Sequence, residues 1–241
     1  MRVIGKALYG SQIFHLDGPQ SDKDYKVIIA PEFIDLYNGK DKYGLPVGYD
    51  SENNSTMDFR QFDAHLRKGN VNTIDLIFSP ELSIFDDKFI PYIKLARQAY
   101  ENGYLGHVWP YFFASAKGRT MNSFKRYNNS EEGRRKATSR GFWTINFMSA
   151  IIHNNYRLTK GIYNSPTIYT HPRKVRYEDN AFTPLTEDEW LEMFKYLEII
   201  VSNNPCNVQD FILQDYENQL KACAQNTIAA AIKYELEDYN L

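Results

Sequence analysis

Tyr9-Gly10-Ser11, followed by Ser21-Asp22-Lys23-Asp24-Tyr25-Lys26-Val27-Ile28-Ile29-Ala30, is the stretch whose reading decides the fold. Side chains alternate along a β-strand, so Asp22 and Asp24 share one face while Tyr25, Val27 and Ile29 pack on the other. Outward from this stretch, Thr73-Ile74-Asp75-Leu76-Ile77-Phe78 reads as a second strand. Its apolar set is Ile74, Leu76 and Phe78, which leaves Asp75 on the opposite face with Thr73 and Ile77. If the two strands are neighbours, three carboxylates converge. Unit charges about 4 Å apart interact by roughly 4 kcal/mol at the effective dielectric of a protein surface, so three bare anions in one cleft repel strongly. A divalent cation turns that repulsion into binding, and oxygen ligands without His or Cys favour Mg²⁺ or Mn²⁺ over zinc.

Residues 3–9 read as the first strand, and Gly10-Ser11 as the turn after it. Glycine permits close backbone approach, and N–H groups at the start of a following helix favour phosphate. Ser11 then offers its hydroxyl and amide to a β- or γ-phosphate; its plain alternative role is to cap that helix. For Asp22 and Asp24 the plain alternative is to cap a turn after Pro19, with Asp75 a solvated strand residue.

These residues carry a resemblance. Gly10-Ser11, then Asp22-x-Asp24 at a strand start, then a lone acid on a later strand, resemble the DNA polymerase β-like nucleotidyltransferase superfamily. The wording Leu16-Asp17-Gly18-Pro19-Gln20-Ser21-Asp22-Lys23-Asp24, with Lys68-Gly69-Asn70-Val71-Asn72-Thr73-Ile74-Asp75, is similar to stand-alone bacterial and phage predicted nucleotidyltransferases, some associated with RNA repair. The resemblance covers residues 1 to about 80 and fades beyond about 130. It departs at His15, where that group usually has a second glycine, and His15 itself reads as a tolerated histidine rather than a base.

The resemblance implies two Mg²⁺ (or Mn²⁺) ions about 3.5–4 Å apart, held by Asp22, Asp24 and Asp75, with a nucleoside triphosphate as substrate. One ion holds the phosphates; the other lowers the pKa of an attacking hydroxyl, whose proton Asp75 accepts. The expected reaction moves a nucleoside monophosphate to an acceptor hydroxyl, with RNA as the favoured acceptor. Transfer to a protein or small molecule is the alternative within enzymes, and a catalytically silent nucleotide- or nucleic-acid-binding module the alternative outside them.

Composition sets the frame. A chain of 241 residues with 18 Tyr and 15 Phe buries a sizeable core as one large domain or two small ones. The net charge of −2 excludes a surface that is basic throughout. Cys206 and Cys223 are the only cysteines, too few for a metal motif and expected too far apart to bridge, which points to a reduced, cytoplasmic protein. No run approaches 18 apolar residues, so neither secretion nor membrane spanning is expected.

The expected fold class is α/β (α+β): a short mixed sheet forming a catalytic domain over 1–105, then a helical domain over 106–241, with the cleft between them. Residues 36–57 read as a long loop, either covering the site or a surface excursion. Residues 58–68 read as an amphipathic helix through Phe59, Phe62 and Leu66, ended by Gly69 and crossing between the two acidic strands. A helix from Pro91 to about Tyr100 ends at Gly103. Further helices start at Pro110 and at Ser130-Glu131-Glu132, the latter with a buried stripe of Trp143, Phe147 and Ile151. Residues 158–183 read as an irregular connector. A capping box at Thr186-Glu187-Asp188-Glu189 opens a helix to about Val201, and a last helix spans Val208 to Glu237.

Lys117, Arg119, Lys125, Arg126, Arg134, Arg135, Lys136 and Arg140 face only Glu131 and Glu132 in their stretch, eight positive against two negative, a local +6. Such a patch suits phosphates; solvated surface charge is the ordinary use. Lys136 and Arg140, four apart on one helix face, are the cations that the resemblance assigns to the triphosphate. The aromatics Tyr111 to Phe113 suit a core, or stacking on a base.

Overall fold

The computed structural model describes residues 2–18, 21–38, 55–178 and 182–238. The chain forms two compact units: Met1–Gly10, Asp22–Ala99 and Asp210–Leu241 make the first, and Ser11–Ser21 with Tyr100–Gln209 make the second. The expected division at 105/106 thus differs in three segments, the boundary itself falling at 99/100. Residues 210–241 group with the sheet, and residues 11–21 group with the helices.

The first unit holds a four-stranded mixed sheet in the order β3-β2-β1-β4. Its strands are β1 (Val3–Tyr9), β2 (Asp24–Ile29), β3 (Ser55–Asp58) and β4 (Ser83–Ile84). β1 runs antiparallel to β2 and β4, and β2 runs parallel to β3. The class is α+β, as the alternation of apolar residues in the first thirty positions implies.

Register sorts the side chains onto two faces. Tyr9, Ala7 and Gly5 oppose Asp24, Lys26 and Ile28, whereas Leu8 and Lys6 oppose Tyr25 and Val27. Opposed residues point the same way, and two diagonal contacts agree with this sorting. The Lys26 Nζ lies 5.7 Å from the centre of the Tyr9 ring, and the Lys6 Nζ lies 4.4 Å from that of Tyr25. Of the expected Tyr25-Val27-Ile29 face only Ile29 is fully buried, Tyr25 and Val27 being half-buried. Ile28 and Ile29 are both buried, because β2 is an inner strand covered on both sides there.

The helix α2 (Phe59–Lys68) forms where expected. Asp58 caps it by accepting from the Arg60 amide at 2.7 Å, and Gly69 ends it at φ 85°. Its rings Phe59 and Phe62 meet Phe89 and Tyr92 of the following segment at 5.0–6.2 Å. That cluster covers the sheet at Gly5, where an added Cβ would lie 3.0 Å from Phe89.

The expected second acidic strand is a helix, α3 (Val71–Phe78). Asn70 caps it, accepting from the amides of Asn72 and Thr73 at 3.1 and 3.3 Å. All of its residues except Asn72 are buried, so it has almost no polar face and shows no period in the sequence; a short run buried all round reads equally as strand or helix. Accordingly α2 joins β3 to α3 rather than joining two acidic strands. The expected loop 36–57 ends in β3 and overlaps α1 (Phe33–Tyr37); its residues 39–54 lie outside the described residues. The helix α4 (Ile90–Glu101) matches its expected span.

The last helix, α11 (Asp210–Asp238), completes this unit. Asp63 on α2 accepts from Arg67 at 2.9 Å and from the Tyr92 hydroxyl at 2.9 Å, and Arg67 reaches Glu217 of α11 at 3.7 Å. Arg2 sits over Tyr234 at 4.5 Å, and Thr227 donates to the Lys88 carbonyl at 3.3 Å.

In the second unit no strand occurs among the described residues; it holds α5 (Tyr104–His107), α6 (Trp109–Tyr127), α7 (Glu131–His153), α8 (Lys160–Tyr163), α9 (Pro166–Tyr177) and α10 (Glu187–Asn203). Ser130 caps α7, and the capping box Thr186/Glu189 is complete at α10. The described part of the expected connector 158–183, which leaves out residues 179–181, is mostly helix: Pro166 occupies a first-turn position of α9, where its missing N–H costs nothing. Pro172 lies inside α9 and cannot donate to the Ile168 carbonyl; the Asn146 side chain of α7 donates to it instead, at 3.2 Å.

Trp143 of α7 is fully buried, with Phe147 stacked 4.5 Å away and Phe14 at 4.3 Å. Gly141 lets the Trp190 ring of α10 lie directly on the backbone of α7, since a Cβ there would enter that ring. Gly141→Ala is therefore expected to destabilise the chain by about 1–3 kcal/mol, the range for overfilling a packed core. Urea unfolding measures this, and a cost below about 0.5 kcal/mol contradicts the packing described.

Candidate functional site

The site is built from the crossing of β1 into the turn that follows. The register sets Tyr9 opposite Asp24, so the backbone of Gly10 arrives beside the Asp24 side chain. Gly10 adopts φ 85°, and an added Cβ would lie 3.2 Å from Asp24 Oδ2. Positive φ and close approach both require glycine at this position. The Asp24 and Asp22 side chains are exposed, and both carboxylates stand at the mouth of β2.

Gly10-Ser11 leads into a single 3-10 turn, Gly10–Gln12, not into the expected helix. The Ser11 carbonyl accepts from the amides of Phe14 and Leu16, at 3.2 and 3.0 Å, which closes a compact loop. Ser11 therefore caps no helix, and no helix terminus directs its N–H groups at an anion here. At His15 φ is +53°. The backbone keeps the left-handed conformation that glycine adopts freely. His15 is held there by Asn164, at 3.1 Å from its Nε2, and by the Tyr169 ring at 4.8 Å. Tyr177 anchors the same loop by donating to the Leu16 carbonyl at 2.9 Å.

Asp75 does not stand with the other two acids on a strand. It sits on α3 and is 0 % exposed, and a carboxylate closed to water offers no face to a hydrated ion. The strand beside β2 also ends in an acid, Asp58, but Asp58 pairs with Ile29. Five residues separate Ile29 from Asp24, about 16 Å along a strand, and the Asp58 carboxylate is taken by Arg60 at 3.0 Å. Among the described residues, no group of three or more His, Cys, Asp or Glu is gathered to hold a metal. Asp22 and Asp24 are the exposed oxygen pair.

On the opposite face, Glu81 takes both odd-numbered neighbours of Asp24. Its Oε1 accepts from Lys23 at 2.9 Å and its Oε2 from the Tyr25 hydroxyl at 2.7 Å. The hydrogen bond from Lys23, then that from Tyr25, lowers the Glu81 pKa below its ordinary 4.5; the same contacts raise those of Lys23 and Tyr25. Lys23 lies between two aspartates in sequence, and Glu81 draws it to the other side of the strand. Lys26, on the Asp24 face, has its pKa lowered by burial. Sequence reasoning missed Glu81 and Lys26. Lys26 was legible by the period of two from Asp24, whereas Glu81 follows a helix that had been read as a strand.

The basic stretch occupies α6 and α7. Lys125 and Arg126 are exposed, and Lys136 and Arg140 are half-buried on α7, four residues apart as expected. Part of the charge is spent within the protein: Arg135 pairs with Glu131 at 2.9 Å and Lys125 with Glu187 at 3.7 Å. The Lys136 Nζ lies 5.0 Å from the Tyr127 ring. Of the three aromatics proposed for stacking, Phe112 is core, Phe113 meets Phe194 at 5.9 Å, and Tyr111 is 45 % exposed. Cys206 and Cys223 are both free thiols. None of the described helices is long and apolar enough to cross a membrane.

No protein-family model, no curated protein and no solved structure matches the chain.

Two outcomes are expected from this geometry. Gly10→Ala should cost about 1–3 kcal/mol in urea unfolding, because alanine at positive φ is strained and its methyl presses on Asp24; an unchanged midpoint contradicts the turn. The depressed Glu81 pKa gives a contribution present above 4.5, the ordinary value, and lost as pH falls through the lower folded value. The difference in melting temperature between the parent and Glu81→Gln should thus be present at neutral pH and close in acid; a difference constant with pH rejects it.

Proposed function

We propose that the chain is a nucleotidyltransferase that moves a nucleoside monophosphate from a nucleoside triphosphate to an acceptor hydroxyl, with RNA as the acceptor class. The observation that carries this reading is the seating of the Asp24 carboxylate against the side-chain-free backbone of Gly10. A backbone stripped of its Cβ beside an exposed acid pair leaves room for a phosphate chain, and the acids supply hard oxygen ligands for its cation.

Asp22 and Asp24 fit Mg²⁺ by chemistry. Mg²⁺ commonly takes one or two carboxylates, keeps several waters and completes its shell with substrate phosphates. That donor set serves one ion; the second ion expected from the resemblance has no third exposed carboxylate gathered for it among the described residues. When bound, the cation supplies charge neutralisation on the phosphates. In the reaction proposed, the acceptor oxygen bonds to the α-phosphorus, the bond to pyrophosphate breaks, and the hydroxyl proton leaves to water or a carboxylate. The exposed cations of α6, Lys125 and Arg126, support RNA over a small acceptor.

The test is incubation with labelled nucleoside triphosphates, Mg²⁺, RNA and a mixed protein acceptor. Label on RNA is expected, and Asp24→Asn should lower the rate at least a hundredfold, on the order of what removal of a metal ligand costs, without changing the melting temperature. Label on protein would redirect the acceptor assignment. Binding without transfer, or equal rates in the parent and Asp24→Asn, would remove the proposed chemistry.

A further inference from the structure

Resting on the transferase reading above, we infer that Lys26 is the cation that meets the substrate's phosphates, so that the anion site of this chain lies on β2 itself. Three observations converge on it. Lys26 is two residues beyond Asp24 on the same strand face, about 7 Å along the chain. Its ammonium is held over the Tyr9 ring, and Tyr9 is the residue that leads into Gly10 and opposes Asp24. It is half-buried, and it makes no ion pair or hydrogen bond with another side chain among the described residues.

The last point gives the inference its direction. A partly desolvated ammonium is costly unless an anion meets it. The other lysines of the sheet are otherwise engaged: Lys23 is drawn to Glu81 and Lys6 lies over Tyr25, both on the far face. The neighbours of Lys26 across the sheet are Ala7 and Ser55, both buried and uncharged. Among the described residues its charge therefore meets no carboxylate. The exposed Asp24 carboxylate and the Lys26 ammonium on one strand face suit a metal-bound polyphosphate, the carboxylate taking the cation and Lys26 taking phosphate oxygens as a point charge. The ligand class is a di- or triphosphate carried with its divalent ion.

The experiment measures binding of inorganic triphosphate with Mg²⁺ to the full chain by calorimetry, in the parent, Lys26→Met, Lys26→Arg and Asp24→Asn. Lys26→Met is expected to weaken binding at least about tenfold, the loss of one charge-assisted contact. Lys26→Arg should keep it within about threefold, since the charge persists. The melting temperature of Lys26→Met should equal or exceed that of the parent, which separates lost binding from lost folding. Equal binding by the parent and Lys26→Met overturns the inference while leaving the transferase reading intact. Binding lost in Lys26→Met but indifferent to Asp24→Asn upholds Lys26 and removes the acid pair from the metal. A parent that binds no triphosphate overturns both.

Discussion

The constraint on which the site depends is conformational: the backbone of Gly10 takes φ 85° beside the Asp24 carboxylate, where an added Cβ would lie 3.2 Å from Oδ2. Antiparallel pairing of β1 with β2 makes the encounter unavoidable, because Tyr9 is bonded opposite Asp24 and the next residue must turn away. Glycine alone meets both demands without strain. The same pairing then divides the side chains. Asp24 and Lys26 go to one face with Tyr9; Lys23 and Tyr25 go to the other, where Glu81 gathers them. A single register thereby yields an acidic pair that its own intervening lysine does not neutralise.

What was legible in the sequence follows from how local each signal is. Caps are local, so Asp58, Ser130 and Thr186 each marked a helix start that the structure places within a residue. β1 and β2 were legible for the same reason, since alternation and a glycine turn lie within a few residues of each other. Burial is not local. The segment Val71–Phe78 is enclosed on nearly all sides, so its apolar run carries no face and the β-branched residues in it imitated a strand. Asn70 was the missed clue, a cap immediately after the glycine that ends the preceding helix. The consequence reached the site, for an aspartate expected on a strand became a buried helix residue.

Proline gave the second lesson. Pro166 and Pro172 made residues 158–183 look broken, yet one begins a helix and the other sits within it. The carbonyl that Pro172 leaves without a donor is served by Asn146, more than twenty positions earlier. Sequence reading treats proline as punctuation, whereas a neighbouring helix can supply the missing hydrogen bond. Membership of the two units was illegible for a related reason: α11 joins the sheet through Arg67, Lys88 and Arg2, which lie far upstream and have no pattern in common with it.

That joining has a consequence for biosynthesis. The sheet is translated before the helices of the second unit from α5 onward, and the helix that completes its own unit is translated after them. The first unit therefore has all of its segments only after residues 100–209, which with residues 11–21 make up the second, have been made. The late-made helix thus closes its unit, bringing Glu217, Thr227 and Tyr234 to Arg67, Lys88 and Arg2 only after the segments of the second unit have been made.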